Sequence, residues 1–303
     1  MSLPLILVSQ QSRSGGTLFS QLLDAHPALL VHPHELTIGW PSKIRWPEID
    51  PDDDPDRLFR QISNPRLASL AELGYRKTGK AAQAGERVPF CYDRNRHLQA
   101  FRAELPAPPR SRRAVIDAYL DSLFRVWRRN SRTGRPSYYA GFVPELGSKS
   151  ASVEQFFADY PRGRLVSIVR DPADWLVSRR AHTKGGEQRH SDLEREMALW
   201  NKMARAARRH RRHYRERFFL LRFERLVDDR ERVMRHFAAW AGVDWSDRLL
   251  EPTFDGQPVA ANTNFNSLAG VSERRLVLPP GELERVRALT RAEAERLEPA
   301  FSV

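Results

Sequence analysis

The feature that most constrains this chain is a glycine-bearing loop between a strand-like run and a helix-like run near the N terminus. The apolar run covers Leu3–Ser9, and the overlapping segment Ser9–Pro27 reads SQQSRSGGTLFSQLLDAHP. A helix is predicted to begin near Thr17 and to end before Pro27, because a proline ring cannot continue it. A strand, a loop and a helix in this order predict the first βα unit of a parallel sheet.

The residues of this loop suit a phosphate group. Free backbone N–H groups and the positive end of the helix dipole would converge there. Gly15 and Gly16 permit close approach of a ligand, Ser14 and Thr17 offer hydroxyls, and Arg13 adds a fixed charge. The loop is not a Walker A motif, because glycine stands where that motif has lysine, and it is not G-x-G-x-x-G. Taken alone, the loop is equally well explained as a plain turn before a capped helix.

Further apolar runs and helical periodicities predict an α/β fold. Four more strands are predicted, at Leu29–Val31, Tyr138–Phe142, Arg164–Val169 and Phe218–Phe223. Helices are predicted at Val153–Tyr160, Asp192 to about Arg217, Arg230–Ala241 and Pro280–Leu297. We expect residues 1–303 to form a single domain with a P-loop-like, doubly wound, mostly parallel sheet flanked by helices. Residues 41–135 contain two proline-rich breaks and predict a helical, irregular insertion over the sheet.

Two further segments place charged and hydroxyl residues after predicted strands. Arg164–Ser178 reads RLVSIVRDPADWLVS, so Arg170 leaves the carboxyl end of a strand, where α/β sheets bind ligands. Ser178 follows about two helical turns later. A simple ion pair between Arg170 and Asp174 is the alternative. The other segment, Gly147–Ser150, reads GSKS and holds a lysine that is either a ligand contact or an ordinary surface residue.

Taken together, these segments resemble the PAPS-dependent sulfotransferases, which use 3′-phosphoadenosine 5′-phosphosulfate (PAPS) as donor. Arg13–Leu18 with Leu22–Pro27 resembles the 5′-phosphosulfate loop of carbohydrate and tyrosylprotein sulfotransferases, R-S-G-T-T-L then L-L-x-x-H-P, with Gly16 in place of threonine. Arg170–Ser178 resembles the 3′-phosphate segment, R-[DN]-P-x-[DE] followed by serine, and GSKS resembles G-x-K-[ST]. Bacterial sulfotransferases are expected to be close in motif as well.

The resemblance extends over residues 3–240 and is weakest across the insertion, which would lie on the acceptor side. It also includes Phe218–Leu226, which resembles a family strand ending in Y-E-D-L and in which Glu224 is expected to be structural.

The resemblance implies transfer of a sulfuryl group from PAPS to a hydroxyl or amine by in-line displacement, leaving 3′-phosphoadenosine 5′-phosphate (PAP) and requiring no metal. It implies eight donor-binding residues: Arg13, Ser14, Gly15, Gly16, Thr17, Leu18, Arg170 and Ser178. Arg13 and Lys149 are expected to stabilise the departing phosphate. The acceptor is expected to be a small molecule, a carbohydrate or a peptide.

A general base is expected in His32–Glu35, which reads HPHE directly after the second predicted strand. The resemblance places a Glu or His here, so Glu35 is the first candidate and His34 the second. Histidine titrates near neutral pH, whereas a glutamate needs burial to raise its pKa. If both residues are structural, the chain would be a pseudoenzyme that retains a nucleotide pocket.

The net charge of +12, with 44 Arg and six Lys, predicts affinity for anions such as phosphates, acidic sugars or anionic lipid surfaces. A basic nucleic-acid-binding protein is therefore one alternative, although no zinc spacing, RNA-recognition signature or helix-turn-helix supports it. A P-loop-type kinase or nucleotide-binding protein is another, and it would require Mg²⁺. An arginine stripe from Arg205 to Arg215 predicts either a solvated helix face or a surface that steers anions.

Cysteine usage and hydropathy favour a cytoplasmic protein. Cys91 is the only cysteine, so no disulfide within the chain is possible. No apolar stretch approaches the roughly 20 residues of a membrane span, and no signal peptide is evident. The polar segment Asn262–Ser267 is either a loop that closes over the nucleotide or a simple turn. The oligomeric state has no signal in the sequence.

Overall fold

The chain alternates strands and helices along most of its length. A computed structural model describes residues 3–38, 45–76, 87–127, 134–182, 192–259 and 278–303. The strands are β1 (Leu5–Val8), β2 (Leu29–Glu35), β3 (Tyr75–Arg76), β4 (Arg87–Val88), β5 (Tyr138–Phe142), β6 (Arg164–Val169), β7 (Phe218–Arg222), β8 (Thr253–Phe254) and β9 (Gln257–Pro258). The helices are α1 (Gly16–Leu23), α2 (Pro55–Ile62), α3 (Arg66–Leu73), α4 (Arg94–Glu104), α5 (Arg112–Val126), α6 (Ser150–Asp159), α7 (Pro172–His182), α8 (Leu193–Tyr214), α9 (Phe223–Asp228), α10 (Arg230–Ala241) and α11 (Pro280–Leu297).

Five of the strands form one parallel sheet in the order β2-β5-β1-β6-β7. The four shorter strands form two antiparallel pairs, β3 with β4 and β8 with β9. The predicted α/β class with a parallel sheet flanked by helices is therefore confirmed.

Alternate residues of β1 belong to different hydrophobic clusters, which shows that the sheet is buried on both faces. Leu5 and Leu7 pack on one face with residues of α5, α6 and α8, whereas Ile6 and Val8 pack on the other with α1 and α10. Full burial of an aliphatic side chain stabilises a fold by roughly 1.5–3 kcal/mol. Because β1 buries side chains on both faces, a position in the centre of the sheet is favoured for this strand. Helices on both faces are the doubly wound arrangement.

Several predicted boundaries need correction. The second strand does not end at Val31 but continues through Glu35, so the HPHE residues lie within β2. Phe223 does not close β7 but begins α9. The long helix predicted to about Arg217 ends at Tyr214 and is followed by one 3₁₀ turn. The first helix begins at Gly16, one residue before the predicted start, and the bounds predicted for α10 and α11 are confirmed.

The described part of the insertion contains α2 to α5 and the β3–β4 pair, so its predicted helical and irregular character is confirmed. Its aromatic side chains, including Phe59, Phe101 and Tyr119, belong to the same hydrophobic cluster as Leu5 and Leu7 of the sheet. The insertion therefore shares a core with the sheet. The Asn262–Ser267 segment lies outside the described residues.

Three buried histidines make the stability of this fold depend on pH. Burial lowers the pKa of His32 from 6.5 to about 3, and the pKa values of His97 and His210 to about 4. Below pH 6.5 the unfolded chain binds protons at these rings and the folded chain does not. Stability is therefore complete above pH 6.5 and falls as the pH drops towards 4, by up to about 1.4 kcal/mol per pH unit for each histidine.

Urea unfolding between pH 7.5 and pH 4.5 measures this slope. We expect His97→Gln to make the slope shallower and His236→Gln, at an exposed position of α10, to leave it unchanged. Equal slopes in wild type and His97→Gln would refute the assignment.

Candidate active site at the carboxyl edge of the sheet

Four predicted site segments, together with the Phe223-Glu224 segment, each follow or end a strand of the parallel sheet. These segments are Gln10–Gly15 after β1, His34-Glu35 at the end of β2, Gly147–Lys149 after β5, Arg170 after β6 and Phe223-Glu224 after β7. Because the carboxyl ends of parallel strands meet at the same edge, all five segments lie on one side of the sheet. That edge is the candidate site.

The loop after β1 places the amino end of α1 at this edge. Arg13 and Gly15 have left-handed backbone angles, with φ values of 75° and 93°. Helix α1 has no side-chain cap and no acidic residue in its first turn. The first N–H groups of such a helix, those of Gly16, Thr17 and Leu18, are left without intrahelical acceptors and attract anions. Ser14 Oγ is buried and has no hydrogen-bond partner among the described residues, which adds an unused donor to the loop.

Gly15 is required because the loop backbone lies against an aromatic ring. A Cβ atom at this position would lie 2.2 Å from the ring of Phe223. The left-handed backbone of Gly15 independently disfavours any side chain. This glycine thus lets the loop pack directly on the segment that follows β7.

Replacing Gly15 by alanine is expected to destabilise the fold by two separable effects. The left-handed backbone costs about 1–2 kcal/mol, and displacement of the Phe223 ring costs about 1–3 kcal/mol more. Gly242→Ala is the matched control, because Gly242 has a φ of 69° but no atom within 4 Å of the added Cβ. Denaturant unfolding of both variants separates the effects. Equal destabilisation would show that the Phe223 contact is unimportant.

Hydrogen bonds join the β1 loop to the segment after β6. Arg13 Nε donates to Ser178 Oγ at 3.2 Å, and Arg170 Nη1 donates to the Arg13 carbonyl oxygen at 3.3 Å. Trp175 Nε1 donates to the carbonyl oxygen of Ser12 at 2.9 Å. Two motifs more than 150 residues apart in sequence are therefore in direct contact, and their basic side chains share one region.

The electrostatics of this region favour an anion. Burial lowers the pKa of Arg13, and the positive charge of Arg170 lowers it further. Burial also lowers the pKa of Arg170, whereas the nearby charges of Asp174, Glu224 and Asp171 oppose that shift. Because two half-buried guanidinium groups repel each other, a bound phosphate or sulfate would stabilise both.

Aromatic and carboxyl groups hold Arg170 in place. Its guanidinium carbon lies 4.9 Å from the centroid of the Phe223 ring, within the range of a cation–π contact. Trp200 Nε1 donates to the Arg170 carbonyl oxygen at 3.0 Å. Glu224 Oε1 accepts the N–H of Asp171 at 2.9 Å, which supports the structural role expected for this carboxyl, and burial raises its pKa.

Asp174, the alternative partner that the sequence suggests for Arg170, is also close enough to affect the pKa of that guanidinium. The ion-pair interpretation and the anion-site interpretation are therefore compatible.

The GSKS segment lies beside the end of β1. Gly147 lies in a 3₁₀ turn, Leu146–Ser148, and donates its N–H to Ser9 Oγ at 2.7 Å. Lys149 occupies the N-cap position of α6, and its side chain is exposed. The contact of Lys149 with a phosphate stays a prediction.

The arginine stripe on α8 is only partly a solvated face. Arg205 and Arg208 form ion pairs with the buried carboxylate of Glu293 on α11. Arg209, Arg212 and Arg215 are exposed, as the solvated-face interpretation predicts.

Glu35, the first candidate base, lies in the same row of the sheet as the end of β1, and His34 lies in the bulge that precedes it. Glu35 pairs with Phe142 of β5, and Phe142 pairs with Val8 of β1. Two strand spacings, roughly 10 Å, therefore separate the Glu35 backbone from the start of the glycine loop. The register shifts between Val31 and Glu35, so residues 32–34 form a bulge at this edge.

The bulge contacts the insertion through residues that the sequence reasoning missed. Asn64 Nδ2 lies 2.7 Å from the Glu35 carbonyl oxygen and 3.0 Å from His34 Nδ1. His32 Nε2 lies 3.1 Å from Tyr119 Oη. Asn64 begins an Asn-Pro pair, which is a turn signal, but the sequence gives no indication of its long-range partner.

Neither a metal site nor a membrane-spanning helix is found within the part of the chain that the structure describes. No group of three or more His, Cys, Asp or Glu residues there could hold a metal ion. No helix there is long and apolar enough to cross a bilayer.

Comparisons with known proteins agree with this arrangement. The sequence profile described as "Sulfotransferase family" matches residues 4–247. A sulfotransferase domain from the curacin biosynthetic pathway matches with a TM-score of 0.56 and 18% identity. The match covers 96% of this chain and 99% of that domain. The sulfotransferase domain of the Synechococcus PCC 7002 olefin synthase has a TM-score of 0.54 and 16% identity, with coverages of 97% and 96%. At these identities the structural likeness shows the fold. No curated protein sequence matches the chain.

Proposed function

The chain belongs to the sulfotransferase family, and we propose that it transfers a sulfuryl group from PAPS to an acceptor hydroxyl or amine. The observation that carries this proposal is the contact between the two basic motifs. PAPS has phosphate groups on both the 3′ and the 5′ side of its ribose, so its site needs two cationic regions within one nucleotide length. The hydrogen bond from Arg13 to Ser178 and the one from Arg170 to the Arg13 carbonyl support such a site.

The two halves of this site would bind different ends of the nucleotide. Arg13, the Ser14 hydroxyl and the backbone N–H groups of residues 15–18 would hold the 5′-phosphosulfate, because the amino end of α1 carries partial positive charge. Arg170 and Ser178 would hold the 3′-phosphate. In this arrangement Arg13 and Ser178 exchange their mutual hydrogen bond for contacts with the phosphates.

The reaction itself needs a proton acceptor and neutralisation of the leaving group. Glu35 or His34 takes the proton of the acceptor group as the new oxygen–sulfur or nitrogen–sulfur bond forms. The bond between sulfur and the 5′-phosphate oxygen breaks, and its electron pair stays on that oxygen. Arg13, Lys149 and the α1 N–H groups stabilise the resulting charge on PAP.

The two rival functions have weaker support. A P-loop kinase needs a lysine at the position of Gly16. A nucleic-acid-binding protein would use exposed basic residues, yet two arginines of the α8 stripe are paired with Glu293. Arg13 and Arg170, which meet at the carboxyl edge, are instead half-buried, which suits a small anionic ligand.

Thermal unfolding with added nucleotides tests the donor class. We expect PAP to raise the melting temperature well above the shifts caused by AMP or ATP at the same concentration, because only PAP engages both basic regions. Addition of Mg²⁺ is expected to leave the PAP shift unchanged. Equal shifts for PAP and AMP would count against the assignment of Arg170 and Ser178. A shift for ATP that requires Mg²⁺ would favour the kinase.

A further inference from the structure

The side chain of Asn64, which belongs to the insertion, contacts the bulge at the end of β2. Asn64 lies between α2 and α3 and is only 4% exposed. Both its amide nitrogen and its amide oxygen form hydrogen bonds. Its Nδ2 lies 2.7 Å from the carbonyl oxygen of Glu35, and its Oδ1 lies 2.9 Å from the N–H of Arg66. The same Nδ2 lies 3.0 Å from His34 Nδ1.

The orientation of this amide is determined by two backbone groups. The carbonyl oxygen of Glu35 can only accept a hydrogen bond, so the amide atom beside it must be the NH₂ group. The N–H of Arg66 can only donate, so the opposite amide atom must be the oxygen. A flipped amide would lose both bonds. Asn64 therefore offers an N–H, and not an oxygen, to the His34 ring.

His34 Nδ1 consequently faces two donors. One is Asn64 Nδ2, and the other is the backbone N–H of Glu35 at 2.7 Å. A nitrogen that faces two donors must present its lone pair, so the proton of the neutral ring is on Nε2. In this tautomer neither nitrogen is available to take a proton from an acceptor group: Nε2 already has one, and the Nδ1 lone pair is engaged.

A second set of bonds holds the His34 backbone. His32 Nδ1 lies 2.7 Å from the carbonyl oxygen of His34 and 3.3 Å from the backbone nitrogen of His34, and the shorter contact favours donation from Nδ1 to the carbonyl oxygen. His32 Nε2 then accepts from the Tyr119 hydroxyl at 3.1 Å. Because burial lowers the pKa of His32 to about 3, its ring stays neutral and these directions persist at neutral pH.

We propose that Asn64 is a positioning residue that, together with the backbone N–H of Glu35, holds His34 in the Nε2–H tautomer, so that His34 donates a hydrogen bond at the site and Glu35 takes the acceptor proton. This inference rests on the proposed function for its catalytic consequence, but the tautomer itself follows from the contacts alone. The proton moves from the acceptor oxygen or nitrogen to a carboxylate oxygen of Glu35 as the bond to sulfur forms.

Nitrogen-15 NMR of the full chain, labelled at histidine, tests the tautomer directly. The His34 signals are identified by their loss in His34→Asn. We expect wild-type His34 at pH 7.5 to show a protonated Nε2 and an unprotonated Nδ1. In Asn64→Asp a carboxylate faces Nδ1, and a proton is expected on that nitrogen. Asn95→Asp, the same change at an exposed position of α4, is the matched control and should leave the His34 signals unchanged.

Measurement of kcat distinguishes a failure of the tautomer inference from a failure of the proposed function. Asn64→Asp is expected to lower kcat on the order of ten- to a hundred-fold, because it misplaces the reacting groups, while the affinity for PAP is retained. A protonated Nδ1 in wild type, or unchanged His34 signals in Asn64→Asp, would overturn the inference. If Asn64→Asp does not fold, Asn64→Ala removes one of the two donors to Nδ1; because the Glu35 N–H remains, the Nε2–H form should still dominate, with a fraction of Nδ1–H that wild type lacks. Absence of sulfuryl transfer in wild type would instead overturn the function and leave the tautomer result standing.

Discussion

Replacing Glu35 by glutamine is expected to lower turnover by about 10²–10⁴-fold, the range typical for loss of a general base. Glutamine keeps the size of the side chain, but its neutral amide cannot take the proton from the hydroxyl or amine of the acceptor substrate. Because the Glu35 backbone lies about two strand spacings from the phosphate loop, the affinity for PAP should stay within a few-fold of wild type. The measurement is PAP release from PAPS with an acceptor that wild type uses.

The matched control for this variant is Glu231→Gln, which removes an exposed carboxylate of α10 that pairs with Arg235. It is expected to turn over at the wild-type rate. Full activity of Glu35→Gln would place the base elsewhere, and loss of activity together with loss of PAP binding would show that Glu35 is structural.

Replacing Arg170 by alanine is expected to weaken PAP binding by roughly 10- to 150-fold. This range corresponds to about 1.5–3 kcal/mol for hydrogen bonds to a charged group. Binding of AMP, which lacks the 3′-phosphate, should weaken only a few-fold, because the variant also loses the bond from Arg170 to the Arg13 carbonyl. Calorimetric titration of both nucleotides measures the difference.

Arg235→Ala removes an arginine from an exposed ion pair and serves as the charge control. Its PAP affinity should match wild type, because exposed pairs contribute little and Arg235 belongs to none of the segments at the carboxyl edge. If Arg170→Ala weakened AMP and PAP equally, the arginine would be supporting the loop and not the 3′-phosphate.

The convergence of the two basic motifs was predictable from sequence for a physical reason. A short apolar run followed by a helical period identifies a βα unit, and parallel strands place their following loops at one edge. The Leu5–Val8 and Arg164–Val169 runs are both strands of the sheet, so the residues that follow them had to be neighbours. The roles of individual site residues remain predictions.

The end of β2 was not predictable from local pattern. Pro33 within HPHE argues against a strand, because proline cannot donate to a sheet ladder. Here β2 is an edge strand, and the proline lies in the bulge between Val31 and Glu35, where no ladder bond is needed. The contact of Asn64 with His34 and that of Phe223 with Gly15 depend on tertiary packing, which no local pattern encodes.

A crystal structure of the chain with PAP tests the central claim most directly. We predict one nucleotide across the carboxyl edge of the sheet, with its 5′-phosphate within hydrogen-bond distance of the N–H groups at the start of α1. Its 3′-phosphate should contact Arg170 and Ser178, and the bond from Arg13 to Ser178 should be replaced by bonds to phosphate oxygens. Density for PAP at another surface, or a 3′-phosphate that points into solvent away from Arg170, would contradict the account.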